Sequence, residues 1–210
     1  MKLRYYGHSC FLMTFSDGTS LVTDPFDETV GYPLCECRCD AVLTSHDHFD
    51  HNHVSSLKGS PVRVCEPGRA RVGGVEIMGV ESFHDDCRGA KRGKNVMFRV
   101  EGDGLRLVHL GDLGHLLTPG QIAALGPVDV LMIPVGGVYT INSRQAFQTM
   151  QAVSPRMTVA MHFKTPVNGF PMMDASEFLR LTAAASLPRE IEITRQTLES
   201  LPHAAVLSWQ

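Results

Sequence analysis

The chain has no apolar run long enough to suggest a membrane span or an ordinary signal peptide, because Gly7, His8 and Asp17 interrupt the segment that follows Lys2 and Arg4. A cytoplasmic location, away from membranes, is the expectation. It also lacks linkers and low-complexity stretches, so residues 1–210 are expected to form a single domain. At 43% hydrophobic content that length can bury a large core without splitting. No basic face is evident: the net charge is −3, and the one basic cluster, Lys91-Arg92-Gly93-Lys94, reads as a solvated loop. Nucleic acid is therefore not an expected partner; a small-molecule substrate is. The sequence is silent on oligomeric state.

Paired Cys-x-x-Cys knuckles are absent as well. Six cysteines occur, Cys10, Cys35, Cys37, Cys39, Cys65 and Cys87, and a domain of this size has no need of disulfide staples, so they are expected as thiols. Cys35-Glu36-Cys37-Arg38-Cys39 is the oddity. In an extended segment alternate residues share a face, so three sulfurs could line one side and hold a soft metal or meet oxidants. The plainer alternative is a small-residue segment leading into the strand that begins at Ala41.

What the chain does have is Ser45-His46-Asp47-His48-Phe49-Asp50-His51, directly after an apolar run ending at Thr44. Imidazole and carboxylate suit zinc and similar divalent ions, and a ligand set without thiolate leaves positions open for water, as catalysis requires. His46 and His48 can converge on one ion in a loop leaving a strand, while Asp50 and His51 point to a second position. Two metals roughly 3.5–4 Å apart can share one hydroxide. Ordinary turn chemistry asks for no such set of residues.

His46-x-His48-x-Asp50-His51 resembles the signature of the metallo-β-lactamase superfamily. Leu21-Val22-Thr23-Asp24-Pro25 resembles the strand whose Asp orients the metal loop. Ser82-Phe83-His84-Asp85-Asp86, His109-Leu110-Gly111-Asp112-Leu113-Gly114-His115, Pro134-Val135-Gly136-Gly137 and Met161-His162-Phe163-Lys164-Thr165 resemble the later motifs. The similarity runs from about Tyr6 to Thr165 and is strongest to short bacterial hydrolases related to the ascorbate-6-phosphate lactonases. It implies an α/β four-layer αββα sandwich. It also implies a first metal held by His46, His48 and His84, a second held by Asp50, His51 and His162, and Asp112 bridging them. The Cys35 to Cys39 segment departs from the family pattern.

The residues lend their own support. Val80 to Phe83, Leu105 to Leu110 and Thr158 to Met161 are apolar or β-prone runs that stop at or just before a proposed ligand. Ligands at several strand ends can meet along one sheet edge, where loops carry function on a rigid support. His109 alternates with Val108 and Leu110, which favours a buried strand histidine paired to a carbonyl. Solvent exposure is the default for His53 and His203, while His115 could sit behind a ligand or in solvent. Tyr6-Gly7-His8-Ser9-Cys10 resembles the N-terminal word of this branch, whose His approaches the metal cleft.

Strands are expected at 3–6, 11–15, 20–23, 41–44, 62–65, 75–83, 96–100, 105–110, 130–134 and 157–161, with a weak one near 205–208. Helices are expected after Thr118-Pro119, after a Ser143 cap that buries Ala146, Phe147, Met150 and Val153, and after a capping box at Asp174 to Glu177. The expected activity is a dinuclear metal-dependent hydrolase, its ions most simply zinc with manganese or iron as alternatives. A metal-bridging hydroxide would cleave an ester, lactone or related bond. Asp50 and Asp112 are the catalytic candidates, Asp50 orienting the hydroxide. Asp24 would orient a ligating imidazole, and Asn95, Tyr139, Thr140 and Lys164 are candidates for supporting a ligand or contacting substrate. The alternatives are a phosphodiesterase of the same fold, a non-enzymatic metal-binding module, and a di-iron oxidoreductase. His48 stands against the last, because that variant is expected to carry a carboxylate there. The chain also has no room for the large inserted domain of the superfamily's RNA-processing nucleases.

Overall fold

Alternation of apolar and polar side chains builds the first sheet. The structure, a computed structural model, describes residues 1–210. Strand β1 (Lys2–Gly7) turns Leu3 and Tyr5 inward, β2 (Cys10–Thr14) does the same with Phe11 and Met13, and β3 (Ser20–Thr23) follows across a tight turn. Strands β4 (Ala41–Leu43) and β5 (Val62–Val64) then add in parallel. The second sheet begins with β6 (Gly68–Val72), β7 (Val75–Phe83), β8 (Lys94–Gly102) and β9 (Leu105–His109), an antiparallel meander. It continues through α1 (Pro119–Leu125), β10 (Val130–Pro134), α2 (Ser143–Val153), β11 (Met157–Met161) and α3 (Ser176–Thr182). The chain closes with β12 (Ala185–Leu187), β13 (Glu190–Glu192), α4 (Arg195–Leu198) and β14 (Ala204–Leu207). The sheets are ordered β13-β1-β2-β3-β4-β5 and β12-β14-β11-β10-β9-β8-β7-β6.

The layers follow from which faces are apolar. Leu3, Phe11 and Leu21 of the first sheet meet Phe98, Leu107 and Met132 of the second in one buried cluster. β10 is buried on both faces, so it reads as the unbroken run Val-Leu-Met-Ile. Val130 and Met132 face the first sheet, while Leu131 and Ile133 face the helices, where Ala146, Met150 and Phe178 cover them. Each such side chain, fully buried, is worth about 1.5–3 kcal/mol relative to exposure. Over the first sheet the outer layer is an irregular wrap instead of α-helices. Phe26, Val30, Tyr32, Cys35 and Leu57 pack there, with 3-10 turns at Glu28–Val30 and Val54–Ser56. Pro25 and Pro33 interrupt this stretch and disfavour α-helix around them. No helix is long and apolar enough to cross a membrane.

The expected strands are present with ends shifted by two residues or fewer. Strands β6, β12 and β13 and helix α4 were not anticipated. β13 is three residues long and exists because Lys2, Leu3 and Arg4 offer it an edge, a pairing nearly 190 positions away in sequence. Helix starts also differ. Asn142, not Ser143, caps α2 by accepting from the N–H groups of Arg144 and Gln145, and Ser143 Oγ donates to Val135 O. Within α2, Phe147 is only half-buried and Thr149 takes a buried position. α3 has no capping box: Asp174 Oδ1 accepts from Ser176 N at 2.9 Å, while Glu177 pairs with Arg144 at 2.9 Å.

All six cysteines are unpaired, and no cysteine belongs to any group of side chains able to hold a metal. The closest approach in the Cys35 to Cys39 segment is 3.5 Å, between Cys35 and Cys37 Sγ. The segment is extended, with Arg38 bridging to Lys58, and burial pushes the Cys39 thiol up to about 12. These are protonated thiols in a packed wrap.

Candidate metal centre

Strand ends place the site. His8 follows β1, Asp24 follows β3, His84 follows β7 and His162 follows β11, while Ser45-His46 lies just past β4 and Asp112 just past β9. The strands that face one another across the core thus deliver their functional residues to a single edge. The chain must turn sharply there. His8, Asp24 and His162 all sit at positive φ (55°, 39° and 51°), which for residues other than glycine costs of order 1–3 kcal/mol each and persists where the surroundings over-determine it. Gly111 has φ 55°, and a Cβ there would collide with the Asn95 amide oxygen and the Ser45 side chain, so the turn before Asp112 demands glycine.

The side chains converge in two adjoining groups, His46, His48 and His84 in one, and His8, Asp50, His51 and His162 in the other; His46, His51 and Asp112 span the two. Asp112 Oδ2 lies 3.2 Å from His51 Nε2, 3.3 Å from His84 Nε2, 3.1 Å from His162 Nε2 and 4.0 Å from His46 Nε2. One buried carboxylate oxygen therefore faces four imidazoles from three parts of the chain.

Asp24 sets the tautomers. It is fully buried, and it accepts from Ser45 N at 2.7 Å, Ser45 Oγ at 2.6 Å and His51 Nδ1 at 2.9 Å. With the Ser45 hydroxyl proton committed to Asp24, His46 Nδ1 is the donor in its 2.9 Å contact with Ser45 Oγ. His46 and His51 thereby turn Nε2 toward Asp112, an arrangement that a cation would satisfy.

Electrostatics divide the imidazoles: His46 and His84 are held neutral, while His51 carries on Nε2 a proton that a bound cation would displace. Burial pushes His46 down to about 3 and, with neighbouring imidazoles, lowers His84, so both stand neutral as ligands must. Burial opposes ionisation of Asp112, yet His162 and His51 hold its carboxyl well below the usual range. His51 is raised well above its ordinary value, since Asp112 and Asp24 overcome its burial. Nε2 of His46 and His51 and Oδ1 of Asp112 are buried without a hydrogen-bond partner. Buried polar atoms are rarely left so, and a shell of imidazole and carboxylate atoms in that condition fits bound divalent metal.

His8 is fully buried and belongs to this edge. Its Nε2 meets Asp50 Oδ2 at 3.1 Å, and its carbonyl accepts from Tyr5 Oη at 2.9 Å and His162 N at 2.8 Å, so one residue steadies two others. Burial, with His162, pushes its imidazole down to about 4. The hydrogen bond from His8 and the proximity of His51 hold Asp50 below the carboxylate range despite burial.

Of the remaining candidates for supporting a ligand or contacting substrate, Thr140 and Lys164 turn elsewhere and Asn95 takes a supporting place. Asn95 is buried behind Asp112: its amide donates to Ser82 Oγ (2.6 Å) and Leu110 O (2.9 Å) and accepts from Asp112 N (2.9 Å). It positions the loop because β8 carries it under the turn. Thr140 is buried with its hydroxyl on Ile141 O, and Lys164 Nζ is held by Asn168 O within its own loop. Tyr139 remains half-exposed at the rim. His53 is half-buried beside Ser55, His203 is exposed, and His115 accepts from Phe83 N at 3.3 Å. Sequence reasoning missed Ser45 and Gly111, whose signal was their adjacency to His46 and Asp112, and Phe170, which carries no local signal.

His109 is a structural histidine. It is fully buried, its Nε2–H donates to Ser9 O at 2.9 Å and its Nδ1 accepts from Gly111 N at 3.1 Å. His109→Gln is expected to cost about 1–3 kcal/mol of stability and retain metal. His84→Gln is expected to lose metal with a smaller change in denaturation midpoint. Elemental analysis beside urea unfolding separates them, and metal loss in the His109 variant alone would overturn the distinction.

A family profile described as "Beta-lactamase superfamily domain" matches residues 2–162. Among solved structures, a candidate zinc-dependent hydrolase of the metallo-β-lactamase superfamily from Thermotoga maritima is similar at 34% identity and TM-score 0.81, covering 98% of this chain and 97% of that one. A metal-dependent hydrolase of Pyrobaculum neutrophilum is 29% identical over 89% of this chain and 93% of its own length. Another, from Archaeoglobus fulgidus, is 26% identical over 93% and 96%.

Proposed function

Since the chain belongs to the metallo-β-lactamase superfamily and is a metal-dependent hydrolase, we propose that it holds two divalent ions, most simply zinc, and cleaves a carboxylic ester or lactone. The observation that carries the two-ion reading is Asp112 Oδ2 set among imidazoles of both ligand groups, with its partner oxygen free for the second ion. His46, His48 and His84 would hold one ion; Asp50, His51 and His162 would hold the other; Asp112 would be shared. Bound divalent metal supplies an electrophile for the substrate's oxygen and lowers the pKa of water from about 15.7 toward 7.

The chain's own groups do the rest. Asp24, directly and through Ser45, keeps the Nδ1 protons of His51 and His46 in place, so their Nε2 atoms stay available. Asp50 is the most open of the three carboxylates, 13% exposed against 2% for Asp112 and 0% for Asp24, and, held ionised, it orients the attacking water by accepting a hydrogen bond from the proton that this water gives up. The water oxygen bonds to the acyl carbon, the acyl C–O bond breaks, and the departing alkoxide takes that proton. His8 Nε2 fixes the orientation of Asp50 throughout.

A cleft of about 730 Å³ runs outward from His46 and His48 past Arg63, Arg92 and Lys94. Lys94 pairs with Glu81 at 3.1 Å, while Arg63 and Arg92 bond neutral partners, Asn52 at 2.8 Å and Val138 O at 3.1 Å, and keep their charge. The choice of an ester or lactone over a phosphodiester follows the lactonases whose motifs the sequence resembles. Six unpaired thiols support the cytoplasmic setting.

Elemental analysis of protein purified without added metal or chelator tests this directly. About two equivalents of zinc or manganese per chain are expected, with turnover in a panel of esters, lactones and phosphodiesters. One equivalent would overturn the two-ion reading, two irons would favour redox chemistry, and none, with failure to rebind, would leave a non-enzymatic module.

A further inference from the structure

Large apolar side chains left in solvent are concentrated at this edge of the molecule. Phe49 (55% exposed) lies between His48 and Asp50, Val138 (54%) on the loop after β10, and Val167 (38%) and Met173 (64%) on the loop that follows His162. Behind them the Phe170 ring stacks on His8 with centroids 5.5 Å apart and planes 24° apart. Phe49 and Tyr139 flank Phe170, each with its ring centroid 6.3 Å away. Because His8 Nε2 touches Asp50 at 3.1 Å, this aromatic group is continuous with the metal centre. Arg92 steadies its outer side, with the guanidinium 5.7 Å over the Tyr139 ring and Nη2 bonded to Val138 O.

Packing does not account for all of this. Phe170 rests partly on the core of the first sheet's wrap, but Phe49 and Val138 join no buried cluster, and turns of this kind are ordinarily polar. Exposed apolar groups gathered at the mouth of a polar centre mark a ligand site. A second copy seated here would cover the opening through which substrate enters.

We propose that Phe49, Tyr139 and Phe170 form the seat for an apolar group next to the scissile bond, so that the preferred substrates carry aromatic or medium-length alkyl acyl chains. The inference rests on the reading of the adjoining cluster as an ester- or lactone-cleaving centre. Rings spaced 6.3 Å apart can receive another aromatic edge-on or offset at their open faces, and the seat discriminates by area removed from water.

The test compares 4-nitrophenyl 4-phenylbutyrate with 4-nitrophenyl acetate on the full, zinc-loaded chain, alongside calorimetric titration with 4-phenylbutyrate. The phenylbutyrate ester is expected to be favoured at least tenfold in kcat/KM. Phe49→Ala and Phe170→Ala are each expected to lower that ratio about tenfold and weaken 4-phenylbutyrate binding to match. Phe49 is more than half exposed, so its variant keeps the fold even if the Phe170 variant does not. Equal kcat/KM for the two esters, or a ratio unmoved in Phe49→Ala, overturns the seat. If no ester, lactone or phosphodiester is cleaved with metal bound, the bond-class reading fails, and the titration alone decides the seat: loss of binding in Phe49→Ala supports it, and no binding to the unsubstituted protein overturns it. A dimer in sedimentation that Phe49→Ala converts to monomer also overturns it, since the rim would then be a contact between copies.

Discussion

Asp112→Ala is expected to yield a folded protein that retains neither metal ion and has lost kcat/KM by at least about 10³-fold, roughly 4 kcal/mol of transition-state stabilisation. The reason is geometric. Asp112 Oδ2 is 3.1–3.3 Å from three imidazole nitrogens belonging to both ligand groups, and no other carboxylate touches both. Without it the imidazoles are left facing one another around an apolar methyl. The fold survives because Asp112 lies beyond β9, outside the three apolar clusters. Elemental analysis, circular dichroism and turnover read the three consequences separately. Two ions retained with full activity would sink the assignment of Asp112 as the shared ligand.

Asp24→Ala attacks the same centre from behind and is expected to cost stability as well. Its two oxygens accept from Ser45 N, Ser45 Oγ and His51 Nδ1, all within 2.9 Å and all shut off from water. Deleting one side of a buried charged pair costs about 3–5 kcal/mol, because the donors left behind cannot return to solvent. The left-handed backbone at this position, φ 39°, remains for alanine to bear. Zinc affinity is expected to fall about 10–100-fold, since His51 and, through Ser45, His46 lose the acceptor that fixes their tautomers. Urea denaturation of the metal-free protein and zinc titration against a competing chelator measure the two effects. Unchanged affinity would reduce Asp24 to a strand-end residue before Pro25.

The metal-binding vocabulary was legible because ligand chemistry is a property of residue type. His46, His48, Asp50 and His51 sit within six positions, and His84, Asp112 and His162 each follow an apolar or β-prone run that marks a strand. His109 was separable from its neighbours on the same ground, as alternation with Val108 and Leu110 buries it. Strands such as β6 were missed: Gly-Arg-Ala-Arg-Val at a sheet edge alternates over only two apolar positions, Ala70 and Val72, both half-buried. Thr140 and Lys164 were misplaced because polarity in a loop says nothing of which way the side chain turns. Each found a main-chain acceptor within its own loop, whereas Asn95 supports the Asp112 turn.

Residue type and spacing by themselves determined the class of chemistry, the strand-rich fold and the set of histidines and aspartates available for metal. Only the tertiary structure decided that four imidazoles meet one Asp112 oxygen, that Asp24 reaches His46 through Ser45, and that Phe170 crosses the fold to stack on His8. Periodicity records which face of a strand is buried, a local matter. Convergence depends on pairing between strands far apart in the chain and on the path of the loops between them, and that is settled by packing two sheets against one another.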